Sequence, residues 1–153
     1  MNILFYGYGN PGRQDDGLGI KFIEEIEKWV SAENLENIDT DSNYQLNIED
    51  AEKISHYDVV YFVDATMEPI ENFELTKVEP DTGKADFTTH SVSPEYVLGL
   101  CKNIFNKTPE TYLMNIKGYE WEMKEELTKR AKKNLCNAID FIKKNKININ
   151  TRL

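Results

Sequence analysis

Three side chains in this sequence have the types and settings for chemistry: Asp16, Asp64 and His90. Asp16 follows Asp15 in the stretch Gly9-Asn10-Pro11-Gly12-Arg13-Gln14-Asp15-Asp16-Gly17, directly behind the apolar run Ile3 to Tyr8. Asp64 stands at the end of Tyr57 to Ala65, the most strongly β-branched and aromatic run in the chain. Capping the turn that follows is its competing, structural role. His90 sits in Phe87-Thr88-Thr89-His90-Ser91-Val92-Ser93-Pro94, just before a helix start, where an ordinary loop histidine is the alternative reading. Two carboxylates and an imidazole form a borderline ligand set suited to nickel, zinc or iron and too nitrogen-rich for magnesium. Three such ligands leave positions open to a substrate. Both carboxylates are expected to be ionised near neutral pH, so His90 alone would set the pH dependence of metal binding. His56, the other histidine, begins its strand at the end opposite Asp64 and reads as inert.

A second motif competes for the same loop. Gly7-Tyr8-Gly9-Asn10-Pro11-Gly12 matches the spacing of a dinucleotide-binding turn after a strand. In that turn the third glycine lies in the helix, whose N-terminus meets the diphosphate. Here Pro11 biases Asn10 away from helical angles. Helical periodicity starts only after Gly17, and Asp15 and Asp16 would repel a diphosphate. Glycines that shape a turn are the simpler reading.

The elements that must position these residues follow from periodicity. A strand is expected over Ile3 to Tyr8 and a helix over about Leu18 to Val30, with Leu18, Phe22, Ile23, Ile26 and Trp29 on one face. A weak strand follows near Asn37 to Asp41. Asn47 reads as an N-cap, with Asp50 at the third helical position and Leu46 as a possible staple, opening a short helix through Ile54. Tyr57 to Ala65 reads as a strand covered on both faces, and Phe73 to Lys77 as a half-exposed one. Ser93 and Pro94 begin a helix to roughly Phe105. A last strand spans Thr111 to Ile116, and an amphipathic helix runs from about Thr128 to Lys144. The order β-α-β-α-β-β-α-β-α predicts an α/β fold: a mainly parallel, twisted sheet of about five strands with helices on both faces. Residues 1–153 read as one domain, with a polar tail from about residue 145.

Charge narrows the partners. The chain carries 27 acidic against 18 basic residues, a net charge of −9. Such a surface repels phosphate backbones and anionic lipid, which argues against nucleic-acid and membrane partners. The N-terminus has no basic segment and no long apolar run, so a cytoplasmic location is expected. Cys101 and Cys136 lie in helical patterns without a CxxC or Cys/His cluster and read as two buried, reduced thiols.

The motifs occur in an ordered set. Gly9-Asn10 through Asp15-Asp16-Gly17-Leu18-Gly19, then Val63-Asp64-Ala65, then Thr88-Thr89-His90-Ser91-Val92-Ser93 resemble the hydrogenase maturation protease family over roughly residues 1 to 142. The resemblance implies an endopeptidase for the large-subunit precursor of a nickel-iron hydrogenase. Such enzymes cut just beyond a C-terminal Asp-Pro-Cys-x-x-Cys-His/Arg motif once nickel is in place. It further implies Asp16, Asp64 and His90 as catalytic, nickel-contacting residues, with the nickel supplied by the precursor. Asp15 matches the neighbouring family acid and reads as a helix cap. One stretch departs from the family: Asp39-Thr40-Asp41-Ser42-Asn43-Tyr44-Gln45-Leu46 lacks the Asp-Gly-Gly-Thr-like turn of many members. The cleft wall there is expected to differ. Gly118-Tyr119-Glu120-Trp121-Glu122 could line a substrate groove or form a packed loop. Two other readings stay open: a non-enzymatic nickel-binding maturation chaperone, and a nucleotide-binding module built on the Gly7-Gly9-Gly12 turn.

Overall fold

The structure is a computed structural model, described for residues 1–81 and 92–145. Strand β1 (Ile3–Tyr8) leads through a 3-10 turn (Gln14–Gly17) into α1 (Leu18–Glu33), and β2 (Ile38–Asn43) follows. Next come α2 (Asp50–Ile54), β3 (Val59–Thr66), β4 (Phe73–Lys77), α3 (Pro94–Phe105), β5 (Glu110–Lys117) and α4 (Lys129–Lys144). The five strands lie in the order β2-β1-β3-β5-β4. All neighbours are parallel except β4, which pairs antiparallel with β5 at one edge.

Alternation along the strands splits the core in two. Ile3, Phe5, Val59 and Val63 face one side, where α1 and α4 supply Phe22, Ile26, Leu135 and Ile139. Leu4, Tyr6, Val60 and Phe62 face the other, against Ile54 of α2 and Val97 and Leu98 of α3. Burial on both faces is why β1 and β3 read as continuous apolar runs and not as alternating ones. Phe22 is fully buried, and its truncation to Ala would cost about 3–5 kcal/mol.

Capping follows the sequence at α3 and α4. The Ser93 hydroxyl accepts the Tyr96 N–H at 3.1 Å, with Pro94 at the first helical position. Thr128 does the same for Ala131 at 3.2 Å. At α2 the expected cap is corrected: the residue before the helix is Glu49, without a side-chain cap bond, and Asp50 is the first helical residue. The Asn47 N–H does donate to the Asp50 carboxylate at 2.8 Å. Regular helix there starts only at Asp50, after an i to i+3 turn. Helix α1 runs past Val30 to Glu33 and ends at Asn34 in the left-handed conformation, φ 53°.

Two further expectations are corrected. Asp64 lies within its strand and not at the end. β1 stops pairing with β3 at Gly7 and Val63, but β5 continues beside β3 to Thr66 and Lys117. Cys136 is exposed, whereas Cys101 is buried. The buried stripe of α4 runs Ala131, Leu135, Ala138, Ile139, Ile142. Position 136 is a third of a turn off that stripe and shares the solvent side with Lys132, Lys133 and Lys143.

Candidate active site

Strand β1 has β2 on one side and β3 on the other, so the chain leaves β1 at a point where the strand order reverses. Ligands bind at such switch points, outside the carboxyl ends of the strands. The first side of the crevice is the loop from Gly9 to Gly17. Gly9 holds φ 141°, and a Cβ there would overlap the Asp16 carbonyl. The Asn10 N–H donates to the Asp16 carboxylate at 2.8 Å, and the Gly12 N–H to the Asn10 side chain at 2.9 Å. The loop thus folds back on Asp16 and fixes its carboxylate.

The helix behind the loop is set by glycine contacts. A Cβ on Gly19 would stand 2.6 Å from the Val63 carbonyl oxygen and 2.7 Å from that of Tyr8. Helix α1 therefore seats directly on the backbone of the two strands that flank the crevice. Close helix–strand packing, the task of the third glycine in a dinucleotide turn, falls here to Gly19. Gly12 lies outside any helix.

Asp64 forms the other side. It is half-buried, and its pKa is raised from 3.8 to about 7, first by burial and then by the nearby Asp16 carboxylate. Hydrogen bonds from the Ala65 backbone and the Tyr8 hydroxyl act in the opposite direction. Tyr8 is in turn held well above its usual range by burial and by the Asp64 charge. The pair can hold one proton near neutrality, or place two oxygens on a cation. The expectation that Asp64 is simply ionised at neutral pH is therefore corrected, because its environment disfavours a second negative charge beside Asp16.

Asp16 and Asp64 open into one cleft of about 690 Å³, which Tyr8, Tyr44, Ile48 and Ser93 also line. Tyr44 and Ile48 are 67% and 56% exposed and form one wall of the cleft. His90 lies outside the described residues. Among those residues no group of three potential ligands occurs; the acids come as a pair. His56 is exposed at the end of α2, before β3 begins.

Asp15 is not a cap for the helix that follows it. It is fully buried, and its carboxylate accepts the backbone N–H groups of Tyr119, Glu120 and Thr128 and the Thr128 hydroxyl, at 2.8 to 3.1 Å. Gln14, also buried, accepts the Glu122 N–H. The 118–122 stretch is thus a loop packed on the 3-10 turn. Sequence reasoning missed Tyr8 and the burial of Gln14. Tyr8 carried a signal, since alternation places it on the same face of the sheet as Asp64.

No family model matches the chain. It is 29% identical over 149 residues to a Methanocaldococcus jannaschii protein whose name assigns it provisionally to the hydrogenase maturation proteases, covering 92% of this chain and 94% of that one. In fold it matches the [NiFe] hydrogenase maturation protease HycI from Thermococcus kodakarensis with TM-score 0.72, at 21% identity over 92% of this chain and 89% of that one. The hydrogenase maturating endopeptidase HybD from E. coli matches with TM-score 0.67, at 18% identity over 93% and 90%. Along nearly its whole length the chain is similar in sequence to a protein named for hydrogenase maturation proteolysis, and its fold is that of the hydrogenase maturation proteases.

Proposed function

We propose that the protein is an endopeptidase that removes the C-terminal extension of a nickel-iron hydrogenase large-subunit precursor after nickel insertion, acting in the cytoplasm. The observation that carries this reading is the Asp16–Asp64 pair, two carboxylates that line one cleft at the switch point, where burial and Asp16 raise the Asp64 pKa to about 7. Its support from outside the chain is the named similarity over nearly the full length. Among the described residues, no helix is long and apolar enough to cross a membrane.

Nickel belongs to the substrate in this scheme and arrives with the precursor. Asp16 and Asp64, joined by His90, would contact it. The donor chemistry fits, since two carboxylates already in mutual repulsion gain most from a divalent cation. Precursors without nickel would leave the site incomplete, so the metal gates cleavage by assembly. Hydrolysis adds water across the amide: a C–O bond forms, the C–N bond breaks and a proton passes to the departing nitrogen. A cleft carboxylate left uncoordinated by the nickel would be suited to accept the proton from water and return it to that nitrogen.

The test is incubation with nickel-loaded and nickel-free precursor, followed by intact-mass measurement. Loss of one defined tail, only from the loaded form, is expected. A stable complex without any mass change would favour the chaperone reading. Saturable nicotinamide-dinucleotide binding, abolished by Gly9→Val, would revive the nucleotide reading.

A further inference from the structure

A second cavity, of about 410 Å³, opens where the turn before β4, the residue after Gly118 and the first half of α4 meet. Its lining is Asn72, Tyr119, Arg130, Lys133, Asn134 and Asn137, which is two cations, three amides and a phenol with no acid among them. In a chain with nine more acids than bases, that composition stands out. The four α4 residues recur at three- and four-residue steps and so share one helix stripe. None of the ion pairs among the described residues involves α4. Glu71, Glu120 and Asp140, acids next along the chain from its lining, are exposed and make no such pair.

The cavity is braced. The Arg130 guanidinium carbon lies 3.9 Å from the Tyr119 ring centroid, and the Lys117 ammonium 5.9 Å from the same ring. Lys117 is engaged by the Met67 and Glu68 carbonyls, each at 2.7 Å. Asn134, 7% exposed, donates to the Lys117 carbonyl and to the Tyr119 hydroxyl oxygen, which leaves the hydroxyl hydrogen available to an acceptor. Asn137 donates to the Asn72 side-chain carbonyl at 3.1 Å, which turns the Asn72 amide into a donor toward other groups. Asn72 itself holds φ 64°, a conformation that suits asparagine. A guanidinium resting on a fixed ring keeps its fork in place and loses little freedom on binding.

We propose that this cavity is a receptor for a carboxylate group, carried either by a chain terminus or by an acidic side chain of a bound partner. A planar two-oxygen anion matches the Arg130 fork, with Lys133 and the amides completing the shell. An Arg fork also binds phosphate, and phosphate sites commonly add free N–H groups at a helix N-terminus. Here the Thr128 hydroxyl already takes the Ala131 N–H at the start of α4. The proposal does not depend on the activity assigned to the Asp16–Asp64 cleft.

The experiment follows side-chain amide resonances of the whole chain by NMR during titrations at constant ionic strength. The probes are N-acetylglycine for a terminus, N-acetylglutamic acid α-amide for an acidic side chain, inorganic phosphate and chloride. Saturable shifts of Asn72, Asn134 and Asn137 are expected with one or both carboxylates, and whichever binds tighter identifies the source. Arg130→Gln should weaken binding by roughly tenfold or more, and Arg130→Lys should not restore it, because a bidentate pair is lost. Equal shifts with chloride, tighter binding of phosphate, or unchanged affinity in Arg130→Gln would each overturn the proposal. Arg130 is exposed, so its replacement leaves the α4 core stripe intact.

Discussion

Asp16 raises the proton affinity of Asp64: burial is the larger cause of that shift, and the facing carboxylate adds to it. Because the folded pKa, about 7, exceeds the unfolded value, the folded state binds more protons between roughly pH 4 and pH 7. Stability therefore falls as pH rises through that window. Asp64→Asn is expected to stabilise the protein by about 2–4 kcal/mol near pH 8 and by little near pH 4. Asp16→Asn should move the Asp64 titration down toward the ordinary carboxylate range. Urea melts at several pH values and carboxyl NMR titration check both, and a pH-independent gain in Asp64→Asn would sink the argument.

Asp16→Ala and Asp64→Ala should each abolish precursor processing while leaving the fold intact, since each relieves the repulsion between the two carboxylates. In Asp16→Ala that relief offsets the lost Asn10 N–H bond. Processing rate and melting temperature are measured together. Near wild-type processing in either variant, with normal melting, removes that residue from the site.

Nickel binding to the isolated protein should be weak near pH 5 and distinctly stronger near pH 7.5. The raised Asp64 pKa changes the form expected of the variants. With Asp64 and a histidine both titrating near neutrality, His90→Ala should make the profile shallower without flattening it. His56→Ala should leave it unchanged, given the place of His56 at the far end of β3. Calorimetric titrations across this pH range decide, and an unaltered profile in His90→Ala excludes that residue.

Gly19→Ala should destabilise the protein although alanine is the better helix former. Propensity favours the change by about 1 kcal/mol. Overlap with two backbone carbonyls, at 2.6 and 2.7 Å, costs about 3 kcal/mol or more because neither can give way like a side chain. A net loss of about 2 kcal/mol is expected in denaturant melts. Gly12→Ala, whose Cβ would meet only the Asn10 side chain at 3.2 Å, serves as the mild comparison.

Much of the scaffold was readable from local pattern. The apolar runs of β1 and β3, the Ser93 cap and the stripe of α4 are properties of neighbouring residues, and the structure has them where the periodicity placed them. Asp16 and Asp64 were legible as candidates because one follows the apolar run of β1 and the other closes the apolar run Val59 to Val63 within β3. The proton affinity of Asp64 was not, for it arises first from burial in the folded cleft and then from a carboxylate distant in sequence that parallel pairing of β1 and β3 brings near. Gln14 and Asp15 were equally opaque. Their burial depends on partners at 119–128, which no local spacing connects to the loop after β1.

The bonds around Asp15 have a dynamic consequence. The loop that carries Asp16 and the first turn of α4 hang on one carboxylate, so neither can open without breaking the anchor of the other. Regions tied in this way unfold as a single cooperative unit with one opening free energy. The amide hydrogens of Asp15, Tyr119, Glu120 and Thr128 should accordingly exchange with solvent at matched free energies, although more than a hundred residues separate the first from the rest. In Asp15→Asn that common value should fall and split, as the loop and the helix end become free to open separately.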